Sequence, residues 1–312
     1  MSIPAALQRN LRLPAIVAPM FLASGPDLVV ETCRSGLIGT FPALNARTTE
    51  EFTDWLNEIE ARLNEEPAAA AYGVNLIVHK TNTRLEADLD VIIRHRVPLV
   101  ITSLGAVSDI IKAIQSYGGL VFHDVISRRH AEKAAEARVN GLIGVSAGAG
   151  GHAGTLNPFA LLAEMRSVFS GTLILSGAMN TGRDIAAARM MGADFAYLGT
   201  RFLATREAMI PDAYKEMLTT SRAADILYTS NISGIPANFL KPSIRAAGLD
   251  PDNLPPAHAL DLSKEVKAWK TVWSAGHGVG SIADRPSTAE LCASLLADYR
   301  AALRQTVSDP FI

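Results

Sequence analysis

Eight short apolar runs, separated by stretches with helical periodicity, constrain this chain more than any other feature. They fall at 15–18 (AIVA), 37–40 (LIGT), 72–78 (YGVNLIV), 98–102 (PLVIT), 120–123 (LVFH), 141–145 (GLIGV), 173–176 (LILS) and 195–198 (FAYL). Their length and β-branched content mark them as buried strands. Helix-patterned segments follow them; in 48–64, Trp55, Ile59 and Leu63 share one face. Repeated βα units predict an α/β protein with a parallel sheet covered on both sides. Eight units predict a closed (β/α)8 TIM barrel. An open dinucleotide-binding sheet would want G-x-G-x-x-G after its first strand. The first run here continues as APMFLASG, which argues against that fold.

The rhythm breaks near Thr205. Residues 206–285 show one helical piece at 211–218 and then a loop-rich stretch. This predicts a smaller, mostly helical inserted domain that lies over one barrel end as a substrate lid. The barrel then comprises 1–205 and 286–312. The last segment is an amphipathic helix with Leu291, Leu295, Leu296, Tyr299 and Leu303 as its apolar stripe. Ser287 or Thr288 can cap its start, and Glu290 supplies the capping-box partner of Ser287. This helix is expected to close the barrel as the eighth.

The bulk properties narrow the partners. The formal net charge is −2, which does not suggest a nucleic-acid or anionic-membrane partner. No apolar run reaches the roughly 18 residues of a membrane span. The N-terminus lacks a signal-peptide core, so a cytoplasmic location is expected. Cys33 and Cys292 lie far apart without metal-ligand spacing and read as buried thiols, with no metal site. A homo-oligomer is left open.

Barrel active sites form at the C-terminal ends of the strands. The most informative of these ends is GVSAGAGGHAG at 144–154, a loop of small residues presenting one imidazole, His152. Ala149, Gly150 and Gly151 let a flat ligand approach the backbone. His152 can exchange protons near neutral pH. Ala18, Pro19 and Met20 follow the first strand, Asn75 lies inside the third, and His123 and Asp124 end the fifth. SGAMNTG at 176–182 and LGTRF at 198–202 follow strands seven and eight, where barrels bind phosphate. Gly177, Ala178, Gly199 and Thr200 can turn N–H groups and a hydroxyl toward an anion, and Arg201 adds a charge. A phosphate cradle joined to a ring-sized apolar pocket suits flavin mononucleotide, FMN.

These pieces together resemble the nitronate monooxygenase family. The matching segments are APM at 18–20, GVN at 73–75, AGGHAG at 149–154, SGAMNTG at 176–182, GADFAYLGTRFLAT at 192–205 and WSAGHGVG at 273–280. The resemblance implies a TIM barrel with a smaller inserted domain and non-covalent FMN. It implies oxidation of alkyl nitronates by O2 to a carbonyl compound and nitrite. His152 would be the base that takes the α-proton of a neutral nitroalkane. Gly177, Ala178, Gly199 and Thr200 would cradle the phosphate, and Ala18, Pro19, Met20 and Asn75 would contact the ring. Three departures bear on substrate and oxidant. Gly148 stands where the family often has Glu. His123-Asp124 occupies the place near the flavin where Lys or Gln is common, and His277 replaces Gln or Met. The alternative is an NAD(P)H-dependent flavin reductase of quinones or enoyl thioesters, since both activities share the AGGHAG loop. A flavin-free barrel that holds a sugar phosphate is a third reading.

Overall fold

The computed structural model describes residues 3–257, 269–308 and 310. Eight parallel strands close into a barrel: β1 (Ala15–Val17), β2 (Ile38–Pro42), β3 (Tyr72–Ile77), β4 (Leu99–Ser103), β5 (Leu120–Val125), β6 (Gly141–Val145), β8 (Thr172–Ser176) and β9 (Phe195–Leu198). β9 pairs back onto β1 through Ala15 opposite Ala196, which completes the cylinder. The eightfold alternation therefore has its expected architecture.

Side chains alternate along each strand, and the closed cylinder sorts them into two clusters. Ile16, Ile38, Leu99, Ile101, Phe122, Ile143, Ile174 and Phe195 fill the interior. Leu7, from the short N-terminal helix Ala5–Gln8, joins this cluster. The opposite parity, including Val74, Val100, Val121 and Val125, packs under the helices. Phe122 is the bulkiest strand-five residue inside, and Gly141 opposite it makes its room. A Cβ at 141 would sit 2.6 Å from the Phe122 ring.

The C-terminal helix Thr288–Val307 starts as the sequence predicts, with Ser287 and Glu290 in a reciprocal capping box. Leu291, Leu295 and Leu296 are buried, whereas Leu303 at the far end of the stripe is exposed. The helix packs against helices Gly182–Met190 and Pro26–Arg34, between the last βα unit and the first. It closes the outer ring.

Between β9 and that helix, residues 206–285 contain helices Asp212–Thr220 and Lys241–Ala246 and an antiparallel hairpin, β10 (Ile226–Thr229) and β11 (Ala237–Leu240). The hairpin adds strand structure to a segment read as mostly helical. β11 also pairs with β7 (Gly151–His152), a two-residue strand inside the glycine loop after β6. Residues 258–268 of the expected inserted domain lie outside the described residues. Among the described residues, no helix is long and apolar enough to cross a membrane.

Close helix contact makes one glycine indispensable. A Cβ on Gly182 would lie 2.1 Å from the Leu295 carbonyl oxygen and 2.2 Å from the Tyr299 amide nitrogen. Both are backbone atoms, so neither can swing aside. We expect Gly182→Ala to lower stability by about 1–3 kcal/mol through overpacking, read as a lower midpoint in urea unfolding. An unchanged midpoint would show that the helices are not in this contact.

Candidate active site

The C-terminal ends of the strands open into a cavity of about 490 Å³. This is within the usual range for a cofactor or substrate pocket. Its floor is built by strand parity. Asn75 on β3, Ser103 on β4, Asp124 on β5 and Tyr197 on β9 all line it. Asn75 Nδ2 donates to the Ile101 carbonyl (3.1 Å) and to Ser103 Oγ (2.8 Å). Ser103 Oγ donates in turn to Asp124 Oδ2 (2.6 Å).

Asp124 has an unusual environment. Burial pushes its carboxyl up to about 6, against the hydrogen bond from Ser103 and the nearby His152, which both favour ionisation. Among the described residues, its second oxygen, Oδ1, is buried without a hydrogen-bond partner, and so is the Tyr197 hydroxyl. Leaving a buried polar group unmatched costs about 1–3 kcal/mol. Two such atoms on one cavity floor are what a bound polar ring edge would satisfy.

One wall comes from the loop after β6, and its position depends on the inserted segment. The Ser274 hydroxyl accepts the Gly151 N–H (2.7 Å) and donates to the Asn238 carbonyl (2.7 Å). Asn238 Nδ2 donates to the Ala149 carbonyl (2.6 Å). The His277 N–H donates to the Gly148 carbonyl (2.9 Å). These loops touch through glycines: a Cβ on Gly276 would meet the Gly148 carbonyl oxygen at 2.5 Å. His152 emerges from this wall with its backbone paired to Ala237, and the Trp269 ring meets its imidazole edge-on at 5.8 Å. Trp273 stacks on Tyr214 at 4.8 Å, and both line the same cavity.

The loops after β8 and β9 form another wall. Gly177 and Ala178 both have positive φ, +135° and +54°. No protein acceptor among the described residues takes the backbone N–H of Gly177, Ala178 or Thr200. Thr200 Oγ1 accepts the Gly276 N–H (2.9 Å), leaving its own proton to donate. Asn180 ties the loop to the 3-10 helix His277–Ser281 through the Gly278 carbonyl and Ser281 Oγ.

The sequence-derived residues therefore converge, with two corrections. Ala18, Pro19, Met20, Asn75, Ala149, Gly150, Gly151, His152, Gly177, Ala178, Gly199 and Thr200 all line the cavity. His123 does not. It shares the outward parity of Val121 and Val125 and faces the helix layer, where its Nδ1 hydrogen-bonds Thr102 Oγ1 (2.7 Å). Burial lowers its pKa to about 4, which keeps it neutral. Asp124, one residue later, is the inward group. Arg201 also turns away and pairs with Asp284. Ser103, Tyr197 and Trp269 had no local signal, since each is an ordinary residue brought in by parity or by the inserted segment.

Comparison with known proteins assigns the family. The sequence profile of the nitronate monooxygenase family matches residues 38–298, and the chain belongs to that family. A nitronate monooxygenase of Paraburkholderia phytofirmans is 26% identical over 94% of this chain and 93% of its own length. A (3aS,4S,5R,7aS)-5-hydroxy-7a-methyl-1-oxo-octahydro-1H-indene-4-carboxyl-CoA dehydrogenase of Rhodococcus jostii is 26% identical over 73% of this chain, and the match spans 62% of that relative. The crystal structure of nitroalkane oxidase from Streptomyces ansochromogenes superposes with a TM-score of 0.84 at 23% identity, covering 97% of this chain and 100% of that one. It supports the fold. The family is one of flavin-dependent oxidoreductases. The residues present fit a flavin: acceptor-free amides at Gly177 and Ala178 suit a phosphate, and the unmatched Asp124 and Tyr197 atoms suit a ring edge.

Two outcomes test this assignment. A Cβ on Gly177 would lie 2.2 Å from Ser146 Oγ, in a φ region that L-residues avoid. Gly177→Ala should weaken flavin binding by roughly 10–100-fold, from about 1–3 kcal/mol of strain, whereas His123→Gln leaves it unchanged. Flavin fluorescence titration reads both, and loss of flavin in both variants would contradict the assignment. Asp124 gives a stability test as well. Its folded pKa of about 6 exceeds the roughly 3.9 of an unfolded Asp, so its contribution is present below the unfolded value and lost as pH rises through the folded one. Asp124→Asn should therefore raise the apoprotein melting temperature more at about pH 8 than at about pH 4. An equal effect at both would show that the carboxyl titrates normally.

Proposed function

We propose that this member of the nitronate monooxygenase family holds FMN at the barrel end and oxidises small alkyl nitronates with O2, giving a carbonyl compound and nitrite. The observation that carries the reading is His152. It is the one histidine among the described residues that line the cavity, and it stands on the wall of small residues where a flat substrate can approach. The flavin, when bound, supplies the electron-transfer chemistry that side chains lack.

The chain's own residues do the rest. Gly177, Ala178, Gly199 and Thr200 hold the phosphate through backbone N–H groups and the Thr200 hydroxyl. Ala18, Pro19, Met20 and Asn75 border the ring, and Ala149, Gly150 and Gly151 leave space beside it. The His152 imidazole takes the α-proton of a neutral nitroalkane, and the Trp269 edge holds the imidazole in place. Residues 206–285 act as a small lid domain, with Tyr214, Trp269 and Trp273 excluding water from the substrate. The partners are thus a small nitronate and O2.

One observation favours a second reading. The Rhodococcus relative, similar over 73% of this chain, is named as a dehydrogenase of a CoA thioester. An NAD(P)H-dependent flavin reductase acting on enoyl thioesters or quinones would use the same cavity.

Substrate protonation state tests the role of His152. General-base catalysis contributes about 10²–10⁴-fold. We expect His152→Ala to lower kcat/KM for neutral nitroethane by about that factor and to spare preformed ethylnitronate. Equal losses on both substrates would remove the base role.

A further inference from the structure

We propose that Asp124 is a proton-carrying contact for the flavin: it holds a proton on Oδ1 once the ring covers it, so that FMN binding is accompanied by proton uptake from solvent. The inference rests on a flavin occupying this cavity and is independent of which substrate the enzyme oxidises.

The hydrogen-bond chain on the floor has one direction. Asn75 Nδ2 can only donate, so Ser103 Oγ accepts from it and spends its own proton on Asp124 Oδ2. Oδ2 is thereby engaged as an acceptor. Oδ1 is buried without a partner among the described residues, as is the Tyr197 hydroxyl on β9. A proton added to Asp124 therefore resides on Oδ1, the oxygen left to meet a ligand. In the protonated state it donates, and in the ionised state it only accepts.

The surroundings favour the protonated state under a ring. From β6, Ile143 and Val145 present apolar surface; from β3 and β4, Asn75 and Ser103 are neutral. The titratable groups nearby are His152 on β7 and Tyr197 on β9, and exposed Lys270 also lines the cavity. Asp124 lines the cavity. A flat neutral ring over the floor displaces the solvent there and penalises the charged form further. Its acid strength already stands at about 6 before anything covers it. The proton uptake then follows by linkage: a ligand that raises the pKa of a group binds more weakly where the group is ionised.

The test is FMN affinity against pH for the apoprotein and for Asp124→Asn, whose amide is neutral throughout. The FMN phosphate titrates identically in both, so the difference isolates Asp124. A further pKa rise of about one unit makes wild type lose roughly tenfold in affinity, relative to Asp124→Asn, between about pH 5 and pH 8. Identical profiles, or an Asp124→Asn protein that binds FMN tenfold worse at the higher pH, would overturn the inference. Should Asp124→Asn not fold, the infrared spectrum of wild-type holoprotein at neutral pH decides: a protonated-carboxyl C=O band that is absent from the apoprotein supports the assignment, and no such band overturns it. A protein that takes up no FMN at any pH removes the flavin site itself, an outcome distinct from a flat difference between two proteins that both bind it.

Discussion

Closure of the barrel is the constraint on which the remaining structure depends. Once eight parallel strands meet edge to edge, every second side chain must point into a space that only side chains can fill. Isoleucines, a leucine and phenylalanines fill the lower part, from Ile16 to Phe195. At the upper end the same parity places Asn75, Ser103, Asp124 and Tyr197 on a shared floor. The floor is polar because these positions face a cavity and not packed aliphatic surface. The chemistry of the site is thus a consequence of where the hydrophobic filling stops.

The barrel alone does not complete the site. The loop that carries His152 is held by residues from 214 to 277, through Ser274, Asn238 and the β7–β11 pairing. The Tyr214 hydroxyl meets both the Ser274 carbonyl and its N–H, and so anchors the clamp to the helix Asp212–Thr220. Ordering a small-residue loop costs conformational entropy. The inserted segment offsets this with several buried hydrogen bonds and with aromatic surface from Trp269 and Trp273. The site and the 206–285 segment are therefore one unit: loosening that segment would release the imidazole along with it.

The sequence revealed the barrel well, because parallel strands buried on both faces leave unbroken apolar runs, and helix caps such as Ser287–Glu290 are local. The cavity-lining positions were readable for the same reason, since strand ends mark the site. The unbroken runs also hid the parity of strand five. Val121 and Val125 are apolar toward the helices and Phe122 is apolar toward the interior, so nothing in LVFHDV says which of His123 and Asp124 turns inward. The hairpin β10–β11 was missed because its strands have four residues each and β11 pairs with a partner some 85 positions earlier. Arg201 read as a ligand to phosphate because Asp284, its actual partner, is equally remote. Long-range pairing decides such cases, and local pattern does not carry it.

The central claim is that this cavity holds a flavin that takes electrons from a nitronate. The most direct measurement is anaerobic rapid mixing of the FMN-loaded protein with ethylnitronate or with NADH, following the flavin absorbance. The account predicts a fast change in the flavin band with ethylnitronate and none with NADH. Rapid bleaching by NADH, with a silent response to ethylnitronate, would contradict it and identify a flavin reductase.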